Sequence, residues 1–426
     1  MALFGRFVLA CATFLLISAF AYGQTATPAP NVEKVDPNHL TLEQWRGSYK
    51  TPANIANAVV QAQLRLIHIS ADKWRADFSF AEPVTAVQFW QQFGDYRKTT
   101  WRVLTPGIRL EQQGSQDRLT ADGKLIAKVS VEIELYLPFQ EDGGTLFNRF
   151  SNGGTNLSMR IFGGDAKQGP QSHRVELHVQ LTGLPDEVVV APPDTGSRRL
   201  NFAYFGPDRP VGVGFTTQIV DPATPSWMVD VLQNSTTKIT NYYGLAFGRR
   251  LSFIPLIMVS VSNPNWHVAN ISGMAPRGQV ILRLEGRGAL TDTPNSRKRF
   301  IEAIAHEFAH LWQFDIKRSG NGENRKWIVE GGAEAIAMAG LRGSGLFTPV
   351  QADEYIAYML QECAKEKGNV ESTYGRYNCG FKRFNDLNTD IFKLWKDMIE
   401  IVDWTGRPYT AALVNAFRSG QPGVEN

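Results

Sequence analysis

His306 and His310 stand four residues apart in "HEFAHLWQF", with Glu307 between them. Helical pitch brings positions i and i+4 onto one face, so both imidazoles can offer a nitrogen to a single metal ion. Glu307, next to the first histidine, can then reach a metal-bound water without being a ligand itself. On an ordinary core helix the same two histidines would each need a hydrogen-bond partner instead. A third ligand is therefore expected a short distance downstream, and "NRKWIVEGGAEAIAMAG" offers Glu330, with nineteen residues between it and His310. That interval is long enough for a loop and a returning helix. Glu334 falls on the same helical face as Glu330, where its carboxylate can hydrogen-bond the non-ligating nitrogen of a metal-bound histidine. The bland reading of this pair is two solvated carboxylates on a surface helix. Gly331, Gly332, Ala333, Ala335 and Ala337 are small enough for this helix to pack closely on the histidine helix.

The element that must carry the histidines is the clearest helix in the sequence. In "TPNSRKRFIEAIAHEFAHLWQF", Thr293 caps, Pro294 begins, and Phe300, Ile301, Ile304, Phe308, Leu311 and Trp312 supply apolar faces. A second helix is expected in "TPSWMVDVLQNSTTKITNYYGLAFG", with Thr224 as cap and Pro225 first. "LSFIPLIMVSVS" and "GQVILRLEG" read as strands between the two. Before residue 210 the pattern is different. "LRLIHIS", "ADFSF", "AVQFW", "KVSVEIELYL" and "RVELHVQL" alternate with period two and are broken by "EDGG", "SNGG" and "FGGD", which predicts an all-β region, sandwich-like. The chain as a whole is thus α+β, and its length exceeds what one core usually supports.

"HEFAHLW" followed by "WIVEGGAEAIA" and "GLRGSGL" resembles the gluzincin metallopeptidases. Among them it is most similar to the glycyl aminopeptidase family and its relative, the aminopeptidase N family, over roughly residues 225 to 400. The resemblance implies a thermolysin-like α/β catalytic domain in which His306, His310 and Glu330 hold one zinc ion. It also implies that Glu307 is the general base and that Glu334 lies behind the ligands. The expected activity is hydrolysis of peptide bonds by Glu307-assisted attack of zinc-bound water. Two further family features can be sought. A substrate-binding edge strand, G-x-M-E-N in aminopeptidase N relatives, has its counterpart in "ISGMAPRGQ" with Gly273 and Met274, but Ala275 stands where the family has the glutamate that binds a free substrate amine. The oxyanion tyrosine, often in Y-x-K-G, has its counterpart at Tyr377 in "YNCG", with Cys379 in place of the lysine and Tyr374 as competitor. Tyr355 and Tyr358 are read as packing residues. Exopeptidase and endopeptidase action both stay open. So do a zinc hydrolase of non-peptide substrates and a non-catalytic zinc-binding protein.

His173 and His178, five apart on a predicted strand, point to opposite faces and cannot chelate. His267 is read as a loop histidine.

At the N-terminus, Arg6, the apolar run Phe7 to Ala21 and the small residues before Gln24 predict a secretory signal over 1–23. A flexible leader over 24–40, an N-terminal β domain over 41–210 and a catalytic domain over 211–426 follow. Cleavage removes Arg6 and Cys11 and lowers the net charge from +3 to +2. That near-neutral balance gives no electrostatic case for nucleic acid, and no membrane insertion is expected once the signal is gone. The expected partner is a peptide or protein substrate, in the periplasm or outside the cell. There Cys363 and Cys379 can form a disulfide closing a loop of fifteen residues, worth about 3 kcal/mol, or remain separate thiols.

Overall fold

The computed structural model describes residues 59–90, 93–114, 116–138, 145–192, 201–314, 326–405 and 409–419. The expected signal and leader lie outside the described residues. The chain divides into two compact units: the first takes 59–233 and 253–303 of the described residues, and the second takes 234–252 and those from 304 onward.

In the first unit, period-two alternation becomes a nine-stranded sheet. Its order is β4 (Trp101–Val103), β7 (Ile126–Glu134), β2 (Lys73–Val84), β1 (Val59–Ser70), β11 (Gln171–Thr182), β10 (Gly164–Gln168), β3 (Ala86–Phe89), β6 (Gln116–Thr120) and β5 (Arg109–Gln113). Strand β1 shows the cause: Val60, Ala62, Leu64 and Leu66 point into the core while Gln61, Gln63 and Arg65 between them do not. Its pairing with β11 is parallel, Val59 opposite Arg174, whereas its other neighbour β2 runs antiparallel. A four-stranded sheet, β12 (Val188–Val190), β13 (Phe202–Gly206), β9 (Thr155–Ser158) and β8 (Phe147–Arg149), shares the same apolar core through Phe147, Leu157 and Phe205. A short helix, α1 (Tyr96–Thr100), carries the fully buried Arg97, whose guanidinium is balanced by Asp117 at 3.0 Å and donates to the Ile161 carbonyl.

The same unit holds a five-stranded mixed sheet, ordered β14 (Val211–Val213), β15 (Thr216–Val220), β16 (Leu256–Ser262), β18 (Gln279–Glu285) and β17 (Asn270–Met274). Strands β15, β16 and β18 are parallel, and the antiparallel β14 and β17 form the edges. The sequence of β18 is buried at every position, as befits a strand covered on both faces. This sheet groups with the β-rich strands in the first unit. The predicted helix after β15 is α2 (Ser226–Ala246), although the Thr224 hydroxyl is buried without a partner and supplies no cap. A single turn, α3 (Arg287–Leu290), leads to α4 (Pro294–Phe314), which Thr293 caps by accepting from Ser296 N at 3.0 Å.

The second unit is helical: α5 (Lys326–Gly343), α6 (Pro349–Lys365), α7 (Gly375–Asn385), α8 (Ile391–Thr405) and α9 (Ala411–Ser419), with the later turns of α2 and α4. Glycines let α5 come close to its neighbours. A Cβ on Gly331 would lie 2.2 Å from the Gly380 carbonyl carbon in α7, and one on Gly332 would lie 2.2 Å from the Trp395 ring in α8. These two positions therefore serve the packing of α5 on α7 and α8, not the expected packing on the histidine helix. Among the described residues no helix is long and apolar enough to cross a membrane.

Candidate metal centre

The four-residue spacing on α4 places His306 and His310 side by side, with ring centroids 4.7 Å apart and planes nearly perpendicular. Their Nε2 atoms are 3.0 Å apart. From α5, Glu330 brings Oε2 to 3.3 Å from the first Nε2 and 3.4 Å from the second. All three side chains are buried. Donors held about 2.0–2.1 Å from a tetrahedral ion lie about 3.3 Å from one another, so the three separations suit one small cation at their centre. His306, His310 and Glu330 form a potential metal site.

The hydrogen bonds behind these groups fix which nitrogens face inward. Gln313 donates its amide to the Val329 carbonyl at 3.0 Å, which can only accept, so the Gln313 oxygen is turned to His310 Nδ1 at 2.7 Å. His310 Nδ1 must then be the donor, and its Nε2 carries a lone pair. Likewise Glu334 Oε1 lies 3.1 Å from His306 Nδ1, while its other oxygen accepts from the Tyr355 hydroxyl at 2.7 Å. With His310 Nδ1 donating outward and the Glu334 carboxylate beside His306 Nδ1, the two Nε2 atoms and the Glu330 carboxylate face one point. Burial pushes the Glu330 carboxyl up, but the facing imidazoles, His310 first, pull it well below the usual carboxylate range.

Neighbouring groups hold this arrangement rigid. Tyr243 of α2 packs its ring against Gly340 of α5 and donates to the Ala305 carbonyl of α4 at 3.0 Å. Burial drives its phenol well above its ordinary pKa, so it remains a donor. Glu307 is fully buried on α4 beside the first histidine. Tyr377, in the first turn of α7, sets its ring 5.8 Å from that of His306, whereas Tyr374 is 45% exposed just before the helix. The structure thus brings Tyr377, and not its competitor, to the imidazoles. Cys363 of α6 and Cys379 of α7 are joined by a disulfide.

No protein-family model matches the sequence, and no curated protein sequence does either. Solved structures do match. An aminopeptidase N family protein from Idiomarina loihiensis aligns over 86% of this chain and 74% of its own at 11% identity, with a TM-score of 0.58. Native yeast LTA4 hydrolase aligns over 88% of this chain and 66% of its own at 12% identity, with a TM-score of 0.50. The chain has an aminopeptidase N-like fold.

Within this aminopeptidase N-like fold, Gly273 and Met274 lie on β17, an edge strand of the five-stranded sheet, with Ala275 buried just beyond it. Glu285, the carboxylate nearest in sequence that could replace the missing glutamate, is already engaged. It accepts from Arg283 at 2.6 Å and Asn270 at 2.9 Å and is 6% exposed. His173 and His178 sit on β11, where His178 meets Gln61, and His267 is exposed. Two residues of the centre were not expected. Gln313 could have been found three positions after His310, on the same helical face. Tyr355, expected only to pack, hydrogen-bonds Glu334 across a separation of 21 residues, for which the local sequence carries no signal.

Proposed function

We propose that the chain is an exported zinc metallopeptidase that hydrolyses peptide bonds. The observation that carries this is the convergence of two outward-tethered imidazoles and one carboxylate on a single point. Two histidines and a glutamate leave a fourth position open, which is the donor set of hydrolytic rather than structural zinc. When bound by His306, His310 and Glu330, zinc would polarise a carbonyl and lower the pKa of water to about 7. This chain's own residues do the rest. Glu307 takes the proton of the attacking water and passes it to the leaving amine. Tyr377 donates its hydroxyl to the developing oxyanion, a contact worth about 3 kcal/mol in other enzymes. Glu334 and Gln313 hold the two imidazoles in the tautomer that binds metal.

By the family resemblance alone, Gly273 and Met274 of β17 are taken as substrate contacts. With Ala275 in place of a carboxylate and Glu285 held by Arg283, a protonated substrate amine finds no partner there, so free chain ends are not favoured over internal bonds. Export is supported by the signal-like residues 1–23 and by the Cys363–Cys379 disulfide, a bond at home in oxidising compartments.

Digestion of a peptide library, read by mass spectrometry with and without a chelator, tests the proposal. Cleavage should stop on chelation and return with zinc, and Glu307→Gln should keep the metal while turnover falls by roughly a hundredfold to ten-thousandfold. A zinc-loaded protein that leaves every peptide intact would move the substrate to a non-peptide class. Undiminished turnover in Glu307→Gln would remove its role as base.

A further inference from the structure

We propose that the Cys363–Cys379 disulfide is a positioning crosslink that holds Tyr377 against His306, an inference that rests on the hydrolytic reading above. Tyr377 is the third residue of α7, and its N–H donates to the Tyr374 carbonyl at 3.1 Å. The first turn is tied to the segment before it, with Gly375 N donating to the Ser372 hydroxyl and Arg376 N to the Ser372 carbonyl. The next turn adds two further ties. Cys379, two residues on, is bonded to Cys363, and Gly380 abuts Gly331 so closely that neither could carry a side chain without displacing backbone.

The crosslink also closes the segment that leads into α7. Gly368 N bonds the Cys363 carbonyl at 3.2 Å, Ser372 bonds Glu366 at 2.7 Å, and Gly375 N donates to the Ser372 hydroxyl at 2.9 Å. The closed segment 363–379 therefore contains Tyr377 and is anchored at both ends by one covalent bond. Its two flanking helices each deliver a phenol to the imidazole of His306 or its partner. Tyr355 of α6 binds Glu334, which meets His306 Nδ1, and Tyr377 of α7 lies beside the His306 ring. The disulfide lies against the Cys363 carbonyl, with Cys379 Sγ 3.3 Å from it. Opening the bond should loosen the oxyanion donor without freeing the metal.

The bond can be opened in two ways: by Cys363→Ser together with Cys379→Ser, or in the wild type with a dithiol. The dithiol passes two electrons and two protons to the cysteine sulfurs and closes to its own disulfide. In zinc-loaded protein, kcat should fall by about tenfold to a hundredfold, the range for a displaced catalytic group, with KM within about twofold. In a Tyr377→Phe background, opening the bond should lower kcat no further. Amide exchange should quicken across residues 375–380 and stay slow in α5, and zinc affinity measured against a competing chelator should not change.

An equal fall in kcat with and without Tyr377, unchanged exchange at 375–380, or loss of zinc would each overturn the proposal. Should the serine variant not fold, the reduced wild type carries the test. Loss of exchange protection throughout α5 by both routes would show a structural and not a positioning role. If the wild type cleaves no peptide, the hydrolytic reading falls by itself, and exchange with zinc affinity still decides the crosslink.

Discussion

Glu285 and Glu330 are both buried carboxylates, and they meet opposite kinds of partner. Glu285, at the end of β18, faces a guanidinium at 2.6 Å and the amide of Asn270 at 2.9 Å. Its charge is balanced and its lone pairs are used by the protein alone. Glu330 faces two imidazole nitrogens; the outer nitrogen of His310 donates to Gln313, and that of His306 lies 3.1 Å from Glu334. Nothing in that trio is a fixed cation. The first carboxylate has its cation as it folds, and the second lies among Lewis bases that a metal could join. Burial of a carboxylate is therefore no sign of function by itself; the sign is burial against other donors.

Breaking the complete cluster should cost stability and nothing else. Arg283→Met leaves Glu285 buried without its cation, which typically costs about 3–5 kcal/mol. Chemical denaturation should show this, with zinc content per folded chain unchanged. Glu330→Gln should do the reverse, losing zinc with a much smaller change in the stability of the metal-free protein. If both variants lost metal, or both lost stability equally, the contrast between the two carboxylates would be wrong.

The orienting groups sharpen the contrast at smaller magnitude. Glu334→Ala should weaken zinc binding by about tenfold to a hundredfold in a chelator competition, because His306 Nδ1 loses the carboxylate 3.1 Å away. Tyr355→Phe removes one hydrogen bond from Glu334 and should cost about 1 kcal/mol, about fivefold in zinc affinity. An effect of Tyr355→Phe as large as that of Glu334→Ala would mean that the phenol, and not the carboxylate, governs the imidazole. The smallest expected effect concerns the satisfied cluster. With Glu285 bound to Arg283, acetylated peptides should be cleaved within about tenfold of their free-amine counterparts, a difference under about 1.4 kcal/mol. A preference of a hundredfold or more for free amines, abolished by Glu285→Ala, would show that Glu285 leaves Arg283 to bind substrate.

What could be read from the sequence follows how locally each feature is encoded. His306 and His310 were legible because helical pitch alone pairs them, and β1 and β11 because alternation survives in each strand by itself. The Thr293 cap was legible for the same reason, whereas Thr224, an equally good cap on paper, is turned into the protein by its surroundings. Tyr355 was not legible, since its hydrogen bond to Glu334 depends on how α6 packs on α5. Gly331 and Gly332 were recognised as close-packing positions, but sequence could not say against what, and the partners proved to be Gly380 and Trp395.

Metal content of the purified protein, measured against His306→Ala/His310→Ala, tests the central claim most directly. The convergence of three bases on one point predicts one zinc per wild-type chain and none in the double variant. Wild-type protein that binds no zinc even when it is supplied, or a double variant that binds as much as the wild type, would contradict it.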